Sequence, residues 1–186
     1  MKWFGGTIAG IFLGFIFVIL FVMFRSGSFK KVEIIKSNYG PFVAIYKNRL
    51  GPYHESSDTL FEVEKILKKN QILCVTSFGI YLDDPNETVA DRLRSELGCL
   101  FSDKYKDQLK TLAEDPSLNL SLKYIDEKNY ISGIFEGSPA LVSLKVYPKI
   151  KKWALQNRYN LKTEAFEIYE VKSASKVKTS VLFEIE

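Results

Sequence analysis

The octapeptide FEIYEVKS, residues 166–173, has a counterpart in the first half of the chain, FGIYLDDP at residues 78–85. A second pair, AIYKNRLGPY at 44–53 and GIFEGSPALV at 133–142, lies at nearly the same offset, so that Tyr46 matches Phe135 and Tyr81 matches Tyr169. Two matches at one spacing indicate an internal repeat, and a repeat constrains the fold before any single element is assigned. The copies differ at one telling place: Glu167 in the second stands where the first has Gly79.

Each copy reads alike in secondary structure. Residues 42–47 form a strand that passes through Gly51-Pro52 into a helix over 56–69, whose apolar stripe is Leu60, Val63 and Leu67. Ser56 or Asp58 suits its N-cap. A strand over 75–82, a turn at Asp83-Asp84-Pro85-Asn86 and a strand over 94–101 complete the first unit. The second has a strand over 130–136, a helix over 140–156, and strands over 164–171 and 176–185. Pro148 should kink or restart that helix, because it removes a backbone donor and clashes with the preceding turn. A helix over 104–114 and an edge strand over 118–124 join the halves. The expectation is an α+β domain of duplicated βαββ units with pseudo-twofold symmetry. Its antiparallel sheet carries two main helices on one face, and the other face, or the seam between halves, is left as a groove.

Residues 3–24 contain no charged side chain. At ~1.5 Å per residue such a run crosses the ~30 Å of bilayer hydrocarbon, and it exceeds the h-region of a signal peptide. Residues 1–25 are therefore read as a transmembrane anchor and 26–186 as one domain. Gly6, Gly10 and Gly14 recur every fourth residue and offer a smooth stripe for helix self-association. Arg25, Lys30, Lys31 and Lys36 follow the span against Lys2 before it, which places the domain on the cytoplasmic side.

The net charge of +4 is spread along the chain without a basic-aromatic cluster, so no nucleic-acid partner is expected. Cys74 and Cys99 are read as buried free thiols; a disulfide would matter only in an exported domain. With no Cys-x-x-Cys and His54 as the single histidine, no metal or other cofactor is expected.

Strand alternation gives a candidate site. If Val43, Ile45, Phe78, Ile80, Ser132, Ile134, Phe166 and Ile168 face the helices, then Tyr46, Tyr81, Phe135, Glu167 and Tyr169 share the opposite face. Four aromatics and one carboxylate suit a cationic or amphipathic ligand, through cation–π attraction and a directed charge contact. Trp153 either edges the same cleft or packs the helix onto the sheet. The plainer alternative for the aromatics is cross-strand pairing. With no nucleophile elbow, triad or phosphate loop, the sequence gives Glu167 little catalytic company, and an enzyme is not the expectation. A non-catalytic adaptor that recruits proteins to the membrane is the alternative to ligand binding; a hydrolase of strained electrophiles using Glu167 is a third reading.

The ordered set YGPF, VAIYKNRLGPYH, GIYLDDP, SELGCLF, GIFEGSPALVSLKVYP and FEIYE resembles the GyrI-like, or SOUL and multidrug-effector-binding, superfamily. It is most similar to the membrane-anchored branch that includes the mammalian testis-expressed endoplasmic-reticulum autophagy receptor. The resemblance covers nearly all of residues 32–186. It implies two βαββ units around a pseudo-twofold axis, a cleft that binds amphipathic and often cationic molecules, and a cleft glutamate at the position of Glu167. The chain departs from the pattern in having no helix-turn-helix ahead of the domain and no long acidic tail after it, so neither a transcription-factor nor a receptor role is carried over.

Overall fold

The structure is a computed structural model that describes residues 2–173 and 176–185, the side chains of 2–11 and of Ser173 excepted. Eight strands make one antiparallel sheet: β1 (Glu33–Tyr39), β2 (Phe42–Leu50), β3 (Thr76–Tyr81), β4 (Arg94–Phe101), β5 (Ser121–Ile125), β6 (Lys128–Gly137), β7 (Ala165–Ser173) and β8 (Lys176–Glu184). Their order is β1-β6-β8-β7-β3-β4-β2-β5. The helices are α1 (Lys2–Ser26), α2 (Ser56–Lys69), α3 (Lys106–Ala113), α4 (Val142–Lys145) and α5 (Tyr147–Gln156). The order strand, helix, strand, strand thus occurs in both halves, and the halves meet where β3 pairs with β7. Strand β1, absent from the sequence reading, is an edge strand of mixed exposure.

The sheet curls because two pairs of strands are bent ribbons. Glu33 faces Ile134 and Tyr39 faces Lys128, and past the bend Phe42 faces Ile125 and Tyr46 faces Ser121 without any change of register. The ladder therefore runs from β1 into β2 along one ribbon and from β5 into β6 along the other. At the bend, Gly40 (φ 111°) lies so close to Asp126 that a Cβ would sit 2.7 Å from its carbonyl oxygen. Only glycine tolerates that approach and that φ. The inside of the curl is a packed core of Tyr46, Phe78, Ile80, Tyr130, Phe166, Ile168 and Leu182. The face expected to remain an open groove is thus largely filled.

Helices cover the outer face in two groups. Val63 and Leu67 of α2 and Leu109 of α3 pack on Val43, Ile45, Cys99 and Phe101. Val142, Val146, Ile150 and Ala154 of α4 and α5 pack on Ile131, Phe135, Val181 and Phe183. A Cβ at Gly133 would meet Val146 at 2.5 Å, so α5 lies closer to β6 than a side chain there would allow. The helix foreseen over 140–156 is broken at Val146, with Pro148 in the first turn of α5 where its missing N–H costs nothing. The foreseen caps Ser56 and Asp58 do not cap α2. Glu55 holds the N-cap position without a side-chain bond, and Ser56 is turned inward.

The free-thiol expectation is overturned: Cys74 and Cys99 form a disulfide, with Cα atoms 5.8 Å apart. Cys99 lies on β4 opposite Ser77 of the neighbouring β3, and Cys74 enters that strand. The 25-residue separation hides this adjacency until the strand register is known.

Helix α1 ends in a Schellman motif, with Ser28 N–H donating to Met23 O (3.0 Å), Gly27 N–H to Phe24 O (3.3 Å), and Gly27 at φ 80°. Its residues 12–24 are exposed. Among the described residues no helix is long and apolar enough to cross a membrane; α1 has 25 residues, but its side chains are described only from Phe12 onward. Of the glycine stripe, Gly6 and Gly10 fall outside the side-chain description, and nothing lies within 4 Å of a Cβ at Gly14.

Candidate functional site

Register decides which side chains meet. One row across the outer face runs Ile45, Cys99, Ser77, Tyr169, Thr179, Phe135, each opposite the next. The adjacent outer row runs Leu97, Gly79, Glu167, Val181, Gly133. Glu167 and Tyr169 therefore stand in the seam between the two helix groups, and Tyr81, two residues along β3 from Gly79, stands beside them.

Glu167 is buried, at 8% exposure, and both carboxylate oxygens are taken. Tyr147, the first residue of α5, donates to Oε1 at 2.5 Å, and Tyr169 donates to Oε2 at 2.8 Å. The Tyr81 and Tyr169 hydroxyls lie 2.9 Å apart. With Glu167 ionised, Tyr169 gives its proton to the carboxylate, so Tyr81 must donate to Tyr169. Tyr53 packs on Tyr81 with ring centroids 4.7 Å apart and donates to the carbonyl oxygens of Asp83 and Arg94. The spent protons leave phenol lone pairs as the open valences of the cluster. Such a site favours a ligand that brings a positive charge or a donor, and disfavours a carboxylate or phosphate.

Burial pushes the Glu167 carboxyl above its ordinary range, against the opposing effect of the Tyr147 and Tyr169 hydrogen bonds. Tyr147 and Tyr169 are pushed well above the usual phenol value by burial and by the Glu167 charge, and Tyr81 to about 12 by the same two causes. The phenols are thus donors at neutral pH, not bases.

Among the described residues, the buried hydroxyls of Ser56, Ser95 and Thr179 close no hydrogen bond. Ser95 faces Tyr81 across the β3–β4 pair and Thr179 faces Tyr169 across the β7–β8 pair. Ser56 Oγ lies near enough to favour Tyr81 ionisation, although their geometry falls short of a closed bond. Most buried polar atoms in proteins are paired, and Ser95 and Thr179 are the cluster's exceptions among the described residues.

Of the residues singled out by alternation, Tyr81, Glu167 and Tyr169 are joined in one hydrogen-bonded network. Phe135 shares their face two strands from Tyr169, buried under the Lys145 ammonium at 4.9 Å. Tyr46 does not join them. It stands in a third row with Phe78 and Ile168, on the barrel side, edge-on to Phe78 at 6.4 Å. The face assignment fails because Ile45 aligns with Tyr169 and not with Phe78 or Ile168: Tyr81, Phe135, Glu167 and Tyr169 lie on the helix-covered face, and Phe78, Ile80, Phe166 and Ile168 lie on the other. Trp153 is also elsewhere, stacked at 5.8 Å on Tyr159, whose ring and hydroxyl carry Lys36 of β1. Sequence reasoning missed Tyr147; the signal was Pro148 beside it, since a helix restart re-aims the residue at the break. The orphan hydroxyls had no signal, because serine and threonine in strands are ordinary.

A cavity of ≈ 200 Å³ lies on the barrel side, lined by Ile80, Tyr130, Phe166 and Leu182 with Lys123, Lys128, Glu164 and Glu184 among the charged groups. Lys128 and Lys162 pair with Glu184, and Lys123 with Glu96, so much of this charge is already matched. The chemistry lies across the sheet, in the closed Glu167 cluster. No group of three or more His, Cys, Asp or Glu that could hold a metal occurs among the described residues.

No family model matches the chain, and no curated protein matches it in sequence. Solved structures do match in fold. The C-terminal domain of EcmrR is similar at TM-score 0.62 and 12% identity, over 83% of this chain and 98% of that one. EcmrR in a DNA complex is similar at 0.60 and 13%, over 97% and 67%. A hydrolase from Listeria innocua is similar at 0.51 and 12%, over 88% and 98%. At such identities the likeness is one of fold alone.

Proposed function

We propose that the chain is a membrane-anchored effector-binding domain that takes an amphipathic cation into the seam between its halves, over Glu167 and its tyrosines. The observation that carries this is a buried carboxylate, Glu167, held by the Tyr147 and Tyr169 phenols where the two halves meet. A charge buried there gains most from a cation that also supplies apolar surface. The fold likeness to the EcmrR C-terminal domain supports a domain of this architecture. The test is thermal unfolding of the full chain in nanodiscs with tetraphenylphosphonium and with its neutral, equally large carbon analogue. A saturable rise in Tm with the cation, absent with the analogue and strongly reduced in Glu167→Gln, is the expected result. An equal rise in both proteins would remove Glu167 from the site.

The anchor in this proposal is α1, whose backbone is helical over 25 residues and whose residues 3–24 carry no charge. We take the disulfide as support for placing the domain on the oxidising side of the membrane, against the cytoplasmic side expected from the flanking charges. Structural disulfides persist in oxidising compartments, and the positive-charge margin favouring the cytoplasm is four residues against Lys2 and the amino terminus. The domain accordingly faces the oxidising side. A carboxyl-terminal reporter active only outside the cytoplasm would be active; a reporter active only in the cytoplasm would refute this.

A further inference from the structure

We propose that the face carrying Phe29 and Leu144 is seated in the headgroup region of the bilayer, so that the domain rests on the membrane instead of hanging from a tether. The proposal depends on reading α1 as the anchor, and it adds an orientation that an anchor alone does not require.

The joint between α1 and the domain is fixed by hydrogen bonds. Ser138 N–H donates to Ser26 O at 2.9 Å, bringing the start of the second helix region against the end of α1. The Lys145 ammonium donates to the carbonyl oxygens of Gly27 (3.3 Å), Ser28 (2.5 Å) and Lys30 (2.7 Å), above the Phe135 ring. An ammonium has three donors, and this turn accepts all three. A chain held this way cannot swing freely about the end of α1.

Two large apolar side chains flank that joint uncovered. Phe29, inside the clamped turn, is 64% exposed, and Leu144, beside Lys145, is 74% exposed. Phe24, in the last turns of α1, is likewise 76% exposed. Arg25 and Lys31 in the same stretch supply cations for anionic headgroups. Apolar groups beside basic ones at the end of an apolar helix match the layered chemistry of the interface, where neither group is stranded.

The test uses the full chain in nanodiscs of phosphatidylcholine and phosphatidylglycerol, with a bimane label on a single introduced cysteine and headgroup-proximal doxyl lipids as quenchers. Native Cys74 and Cys99 are joined to each other and do not take the label. The positions are Phe17→Cys within α1, Phe29→Cys, Leu144→Cys, and Leu155→Cys near the far end of α5, where Leu155 is 80% exposed. Loss of fluorescence at 29 and 144 but not at 155 is expected. Quenching at 17 by deep doxyl lipids, with 29 and 144 behaving like 155, would overturn the seated orientation while leaving the anchor intact. Absence of quenching at 17 by either quencher would overturn the anchor reading and this proposal with it.

Discussion

The two halves of the domain share an order of elements and differ in what each does with it. In the first half α2 is unbroken, and the strands beneath it are tied by the Cys74–Cys99 disulfide. In the second, the helix is interrupted at Val146, and the break delivers Tyr147 to Glu167. Across the central strand pair, Glu167 faces Gly79. A Cβ at Gly79 would sit 3.1 Å from the Tyr81 ring and 3.1 Å from Leu97. The glycine of one half therefore leaves room for the tyrosine that joins the network of the other. One scaffold has been divided into a braced half and a polar half, and the chemistry sits where they meet.

The largest expected effect removes the brace. Replacing Cys74 and Cys99 together by alanine should lower stability by about 3 kcal/mol in urea unfolding, the order expected for a cross-link closing a loop of this length. The cation-dependent rise in Tm should survive, because no atom of the disulfide belongs to the Glu167 network. Loss of both would show that the halves are not separable in this way. Next in size, Gly79→Ala should cost about 1–2 kcal/mol as an overpacked position. It should also weaken the cation response, since the Tyr81 ring must give way. An unchanged response would show that Tyr81 need not be fixed.

The degree to which this division could be read from sequence follows its physical origin. Element order was legible because apolar periodicity and Gly-Pro punctuation are local: strand 94–101 and helix 56–69 match β4 and α2 in full. Glu167, Tyr81 and Tyr169 were legible as site candidates because alternation keeps them on one face. The curl of the sheet was not, because it depends on the Gly40-Pro41 bend lying against Asp126, a contact between distant segments. That curl fills the inner side, and strand register sets Tyr46 on that side, away from Glu167. The disulfide likewise exists only through strand register, and of the two readings of Trp153 the packing of its helix onto the sheet is the one observed. What the sequence hid was pairing between residues, not the character of any one residue.

The smallest effect is the most specific to the polar half, and it concerns pH. The Glu167 carboxyl is raised by burial, so below the ordinary carboxylate pKa it is protonated in folded and unfolded chains alike and its contribution is fully present. As pH rises, the unfolded chain releases this proton first, and stability falls until the folded carboxyl also ionises. Asp83, Asp84, Glu170 and Glu184 work in the other sense: their hydrogen bonds and lysine or arginine partners hold them low, so their contribution is lost as pH falls. Glu167→Gln removes only the first effect. The stability of the native chain relative to this variant should therefore decline from about pH 4 upward, by at most ~1.4 kcal/mol per pH unit, and level off once the folded carboxyl ionises. Tyr147→Phe, which deletes a bond that favours the ionised form, should extend the decline to higher pH. Melting temperatures of the three proteins across pH 4 to 8 test this ordering. A constant difference between native chain and Glu167→Gln would mean that the carboxyl is not held above its ordinary value, and that the polar half tolerates a buried charge without a cation to meet it.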